Sequence, residues 1–260
     1  MNLSYMDQSD SGGPAALKGF TYQNFAAAYY VLTMLRDKSL LSVRCEVVDD
    51  IDLIYDNYIE YIQVKTTDSD SKWTVKEFAE ASTVLVPPKG RQRVPQKQSL
   101  EDSILHKSLA CDKINLQSSF RILTLRDVKK ELCYLKVSRA SRSEKLEARI
   151  ELLEKLKKKI ELNRKNAKSE FISPNGNNIE YWLDHSEWTV IPTLKQLELQ
   201  CTQIILQSAQ EKNIYLNANG DPERILASLL NSLVKKGGTS RILHSSSDKS
   251  YHRKDFIAWF

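Results

Sequence analysis

The chain has 260 residues, 41 % of them hydrophobic and 27 % charged, with a formal net charge of +5 at pH 7. That is the composition of an ordinary soluble globular protein, large enough for one big domain or two small ones, and no apolar run approaches the roughly 18–20 residues that span a bilayer. Cys45, Cys111, Cys133 and Cys201 are far apart and form no CxxC pair, which argues against a zinc site or disulfide framework and for a reducing cytoplasm.

Residues 1–14 are polar and rich in Gly and Ser, without the basic start and apolar centre of a signal peptide, so a flexible leader is expected. From Ala15 to Leu35 the spacing of Phe20, Asn24, Ala27 and Val31 predicts a helix dense in Ala. Gln23 is a polar residue on this apolar helix and needs a partner. Residues 43–67, VRCEVVDDIDLIYDNYIEYIQVKTT, read as two β-strands joined by a tight turn at Asp56-Asn57. Residues two apart share a face of a strand, so Glu46, Val48, Asp50 and Asp52 point one way along the first. Tyr61, Gln63 and Lys65 point together along the second, while Asp49 and Glu60 lie on the off-faces. Matched faces would bring carboxylates, an amide oxygen and an ammonium side by side. Hydrated Mg²⁺ favours such a site, because it binds through one or two carboxylates and keeps several waters. A lysine beside the metal can orient the attacking water and stabilise charge building on a phosphate. Asp52, eleven residues before Gln63, ranks first among the acids, Asp50 second and Glu46 third.

Further on, Thr74 and Glu77 form a capping-box pattern at the start of a helix that Pro87-Pro88 ends. The basic stretch 88–98 follows, and its Lys89, Arg91, Arg93 and Lys97 suit either phosphate backbones or a solvated loop. A helix over 100–116 and a strand carrying Phe120, Ile122, Leu123 and Leu125 complete an α/β order with a mixed central sheet flanked by helices. The second half is largely helical. A long amphipathic helix is expected over 141–168, with Leu146, Ile150, Leu153 and Ile160 at near-heptad spacing; it could serve as arm, dimer seam or lid, its Lys-rich face either on DNA or solvated. A turn at 173–177 precedes two more helices, the second starting at Asp221-Pro222 and closing at Gly237-Gly238. The apolar ending RKDFIAWF suits a docked helix or a junction to a longer chain. These readings divide the chain into 12–135 and 136–260. His106, His185, His244 and His252 show no metal or triad spacing, and there is no GxxxxGK[ST] phosphate loop.

Three elements occur in order: Gly19-Phe20-Thr21-Tyr22-Gln23, Asp49-Asp50-Ile51-Asp52 and Gln63-Val64-Lys65. Together they resemble the PD-(D/E)xK nuclease superfamily, most closely the Mrr-like enzymes and the double-stranded DNA endonuclease domains of bacterial antiphage defence proteins (CBASS-type and related). The resemblance implies a restriction-endonuclease-like core and a Mg²⁺-dependent endonuclease acting on double-stranded DNA, with Mn²⁺ able to replace Mg²⁺. It implies Asp50, Asp52 and Gln63 as metal-holding residues and Asp52, Gln63, Lys65 and Gln23 as catalytic ones, Gln23 standing where such families place an acid or amide. Lys89, Arg91 and Arg93 are the expected DNA contacts. It further implies a homo-oligomer restrained by a sensor or ATPase partner, fused or separate, with no membrane association. A catalytically inactive nuclease fold used for DNA binding or oligomerisation is the alternative, and RNA cleavage stays open.

Overall fold

The computed structural model describes residues 13–67, 71–86, 96–114, 116–162, 170–217, 219–239 and 245–260. The expected α/β architecture is present: a mixed six-stranded sheet with helices on both faces and a mainly helical second half. Helix α1 (Gly13–Thr33) leads into strands β1 (Ser42–Cys45), β2 (Ile51–Ile54) and β3 (Tyr58–Lys65).

The strand predicted from Val43 is therefore two strands. Glu46 takes the left-handed conformation, with φ of 56°, and its amide donates to the Asp50 carbonyl at 3.1 Å. The chain thus reverses over 46–50 and β1 pairs antiparallel with β2. The turn at Asp56-Asn57 forms as expected, with Tyr55 N donating to Tyr58 O at 3.0 Å and the two tyrosine rings stacked at 4.2 Å.

After β3 comes α2 (Val75–Ala79), whose Thr74–Glu77 capping box is complete. The helix expected to continue from it stops after five residues. Thr83–Val86 forms β4 instead, rich in β-branched residues, and pairs with β5 (Gln96–Ser99) as a separate ribbon. Residues 87–95, which connect the two strands, lie outside the described residues. Then follow α3 (Ile104–Ala110), β6 (Gln117–Thr124), α4 (Leu146–Leu162), α5 (Ile179–His185), β7 (Ser186–Val190), α6 (Leu194–Glu211), α7 (Asp221–Gly237), β8 (Ser250–His252) and α8 (Arg253–Trp259). The sheet order is β7-β6-β3-β2-β1-β8, with β3, β6 and β7 parallel. Both edge strands come from the second half of the chain.

Burial on two faces explains the apolar run of β3. Ile62 and Val64 join Ala26, Ala27, Val31 and Leu32 of α1 with Leu197 and Leu226 of α6 and α7. Ile59 and Tyr61 face Phe78, Leu105, Leu156 and Trp182 of α2, α3, α4 and α5. Helix α4 is not a free arm but packs on the core along one side. Leu152, Leu156 and Ile160, four residues apart, are buried in this second cluster, whereas Leu146 and Ile150 are exposed.

Asp112, after α3, is a fully buried carboxylate. It accepts from Ser118 Oγ at 2.7 Å, Ser173 Oγ at 2.5 Å, Asn175 Nδ2 at 2.9 Å and Asn177 Nδ2 at 2.8 Å, fastening the 173–177 turn to the start of β6. Burial works against its charge, but these four donors outweigh it and hold its carboxyl below the usual range.

Candidate active site

Antiparallel pairing places Ile51 opposite Ile62 and Asp52 opposite Tyr61. Continued by one residue, the same register sets Asp50 across from Gln63. A hydrogen bond fixes it there: Val64 N donates to Asp50 Oδ2 at 2.7 Å. The Asp50 carboxylate therefore lies over the end of β3, between Gln63 and Lys65, which share a face of that strand. Gln63 is 5 % exposed, and its Oε1 is buried without a hydrogen-bond partner among the described residues. Lys65, the last residue of β3, is half-buried.

Asp49, set aside by strand alternation, is drawn into the same centre because 46–50 is a loop in which alternation does not operate. Its Oδ1 accepts from Asp50 N at 3.0 Å, while its Oδ2 is buried and meets no hydrogen-bond partner at ordinary geometry. Burial first, and then the Asp50 charge, push its pKa up to about 7, while Lys65 pulls the other way. The Cys111 thiol, at the end of α3, closes the centre from beneath; burial and the Asp49 charge push its own pKa up.

Asp52 occupies a different place. It is 0 % exposed and accepts from Val48 N at 3.3 Å and Asp49 N at 3.1 Å, with Arg44 Nε 3.5 Å from its Oδ2. A carboxylate held this way organises the loop that carries Asp49 and Asp50. Arg44 escaped notice in the sequence because its pairing with Asp52 depends on the turn at Glu46. Gln23 finds its partner in Glu46, Nε2 donating to Oε1, so α1 is tied to the loop. Gly19 makes that approach possible, since a Cβ there would stand 3.1 Å from Thr66 Oγ1, just beyond Lys65. The structure thus gathers Gln23, Asp50, Gln63 and Lys65 around one end of the sheet, with Asp52 behind them. Lys89, Arg91 and Arg93 lie outside the described residues.

Among the described residues no three His, Cys, Asp or Glu side chains come together to hold a metal by themselves. The donors gathered at this end of the sheet are one or two carboxylates and an unsatisfied buried amide oxygen, all oxygen ligands. That set fits Mg²⁺, which needs few protein ligands and completes its shell with water, better than a nitrogen- or sulfur-seeking metal.

A second charged centre lies on the opposite face of the same strand. Glu60, buried, meets Arg121 Nη2 at 3.0 Å and Arg139 Nη2 at 2.9 Å. Glu187 meets the same two arginines at 2.9 and 3.3 Å, and Arg121 Nη1 also donates to Thr189 Oγ1 at 2.9 Å. Glu60 and Arg121 help line a cleft of about 1000 Å³ that opens between α1, α6 and β7. Among the described residues no helix is long and apolar enough to cross a membrane.

Comparison with known proteins places the chain in a family. The family described as Cap4, dsDNA endonuclease domain, matches residues 11–237. Anti-bacteriophage protein A of Escherichia coli strain K12 is 37 % identical over 257 residues, which are 98 % of this chain and 44 % of that protein. A solved structure of the Acinetobacter baumannii Cap4 SAVED/CARF-domain containing receptor with the cyclic trinucleotide 2′3′3′-cAAA aligns with a TM-score of 0.55 at 16 % identity, over 93 % of this chain and 44 % of that one. The same receptor without a named ligand aligns at 0.54 and 16 %, over 93 % and 45 %. At that identity these structures speak for the fold. The chain spans less than half the length of the relatives it matches.

Proposed function

The chain belongs to the Cap4 dsDNA endonuclease domain family, and from that premise we propose that it is the DNA-cutting part of an antiphage effector, a Mg²⁺-dependent endonuclease of PD-(D/E)xK type. The observation that carries this reading is the meeting of Asp50, Gln63 Oε1 and Lys65 at one end of β3, with the amide oxygen buried and unsatisfied. Asp50 and Gln63 would hold the metal, Asp49 lying close enough in the loop to assist, and Mn²⁺ would serve in its place. When bound, the cation supplies a more acidic water and neutralises charge on the phosphate. Lys65 contributes a fixed ammonium where negative charge builds up on the phosphate being cut. Asp52, with Arg44, sets the loop so that Asp50 reaches β3, and Gln23 holds Glu46 at its rim. In this reading Asp52 is a positioning residue rather than a ligand.

Backbone phosphates would supply most of the affinity, so DNA binding should weaken steeply with salt. Lys89, Arg91 and Arg93, in the segment of sequence between β4 and β5, remain the proposed phosphate contacts. The Acinetobacter relative is described as a SAVED/CARF-domain receptor with a cyclic trinucleotide. By extension, cutting in this protein would be held back until a sensor region, acting in a cytoplasmic homo-oligomer, releases it. One observation favours a second reading, an inactive nuclease fold that only binds DNA or assembles: among the described residues no three His, Cys, Asp or Glu side chains are grouped to hold a metal.

The test is cleavage of supercoiled plasmid by the purified protein in Mg²⁺ or EDTA, beside Asp50→Asn and Lys65→Ala, with a structured RNA as a parallel substrate. Mg²⁺-dependent plasmid cutting lost in both variants supports the endonuclease. Binding without cutting, unchanged by either variant and by EDTA, supports the scaffold reading.

A further inference from the structure

Helix α1 buries Tyr22, Ala26, Ala27, Ala28, Val31 and Leu32 against the sheet and its covering helices, yet its first two turns stand clear of the core. Leu17 is 70 % exposed and Phe20 58 % exposed. Single exposed apolar residues are ordinary, but these two are three apart and share one face of the helix. They lie next to the candidate site. Gly19, immediately before Phe20, touches Thr66 beyond Lys65, and Gln23, one turn later, is bonded to Glu46. At about 100° per residue, Phe20 is roughly 60° around the helix from Gln23, so its ring stands at the rim of the site.

A strand that brings a phosphate to Lys65 and Asp50 crosses the end of β3, and on the α1 side the exposed apolar surface flanking Gln23 is the ring of Phe20, with Leu17 behind it on the same face. An exposed aromatic ring beside a site for a phosphodiester matches the chemistry of a nucleic acid, a face on which a base can stack. We propose that Phe20, backed by Leu17, is a substrate-positioning contact that stacks on or wedges beside a DNA base flanking the cut. The proposal rests on the endonuclease reading above. Apolar wedges of this kind partly unstack a base step and bend the duplex, so a duplex that unstacks easily at that position should bind more tightly.

The experiment measures affinity for a short duplex on a Lys65→Ala background that cannot cut, and plasmid cutting on the wild-type background. Phe20→Ala is expected to melt like its parent, since the ring is exposed, to bind the duplex about tenfold to a hundredfold more weakly, and to cut with raised KM and little change in kcat. Phe20→Trp should restore affinity, with its fluorescence quenched by DNA. A mismatch or abasic site near the cut should tighten binding when Phe20 is present but not in the Phe20→Ala variant. Unchanged affinity and KM in Phe20→Ala would overturn the proposal while leaving the endonuclease intact. So would a change confined to self-association in ultracentrifugation, which would assign the patch to a second copy of the chain. A wild-type protein that neither binds nor cuts DNA in Mg²⁺ would instead remove the endonuclease reading, and this one with it.

Discussion

Glu60 and Lys65 belong to one strand, but they serve opposite arrangements of charge. Around Glu60 every charge is answered: each of the two guanidinium groups lies within 3.3 Å of both carboxylates. Around Lys65 the balance is incomplete among the described residues, because a Gln63 oxygen and an Asp49 oxygen are buried without ordinary hydrogen bonds and Asp49 is pushed towards neutrality. A closed network of buried ions carries its desolvation penalty and yields a defined geometry. An open one keeps polar atoms unsatisfied, which destabilises the fold unless something meets them. The contrast separates charge that shapes the sheet from charge available for chemistry.

The sharpest way to break the comparison is to open the closed network. Glu60→Ala leaves Arg121 and Arg139 without their shared partner and should lower unfolding stability by about 3–5 kcal/mol, seen as an earlier urea midpoint, while cutting per folded molecule persists. An unchanged midpoint would show that the network adds nothing. At the open centre the expected pattern is inverted. Lys65→Ala should reduce cutting by about 10²–10³-fold with the urea midpoint within about 0.5 kcal/mol of wild type.

Asp112 offers a middle case, a buried carboxylate with a full set of neutral donors. Asp112→Ala leaves those donors unpaired and should cost about 3 kcal/mol at pH 7. Its folded pKa is depressed, so the contribution linked to its charge is present above the unfolded value, about 3.9, and is lost as pH falls through the folded value. The gap between wild type and Asp112→Ala should therefore narrow only below about pH 4, followed by urea titration at each pH. The smallest expected effect is stabilisation by the proposed ion. Mg²⁺ at a hundred times its Kd should raise wild-type stability by about 2.7 kcal/mol and Asp50→Asn by far less; equal shifts in the two would place the ion elsewhere.

Features set by local chemistry were legible in the sequence. The Thr74–Glu77 box, the Asp56-Asn57 turn and the start of α7 at Asp221-Pro222 depend on neighbouring residues alone. The order of Gln23, Asp50, Gln63 and Lys65 along the chain also pointed to one end of the sheet. What stayed hidden depends on distant contacts. The reversal at Glu46 is held by the Asp52 carboxylate, so Val43–Ile54 read as one strand and Asp49 was set on the wrong side. Strand β7, five residues long, was not foreseen in the sequence, because its extended form is imposed by β6 beside it. The stripe of α4 was placed in part, Leu153 and Ile160 packing as expected but Leu146 and Ile150 not: Leu152 and Leu156 are apolar like Leu146, and the neighbours on α2, α5 and residues 130–136 decide which are covered.

One edge of the sheet also bears on the order in which the candidate site is completed. Strand β1, which feeds the loop holding Asp49 and Asp50, pairs on its outer side with Ser250–His252, and Arg253 N then donates to Leu41 O at 2.8 Å. During synthesis the residues of the site have all been made once Lys65 is added, but the strand that closes their edge comes only with Ser250–His252. Until then β1 presents an open edge and the Glu46 turn has support from one side only. A chain broken off before residue 250 would leave β1 with an unpaired edge and the loop of Asp49 and Asp50 held from one side only, and is expected to be less stable and more prone to edge-to-edge association.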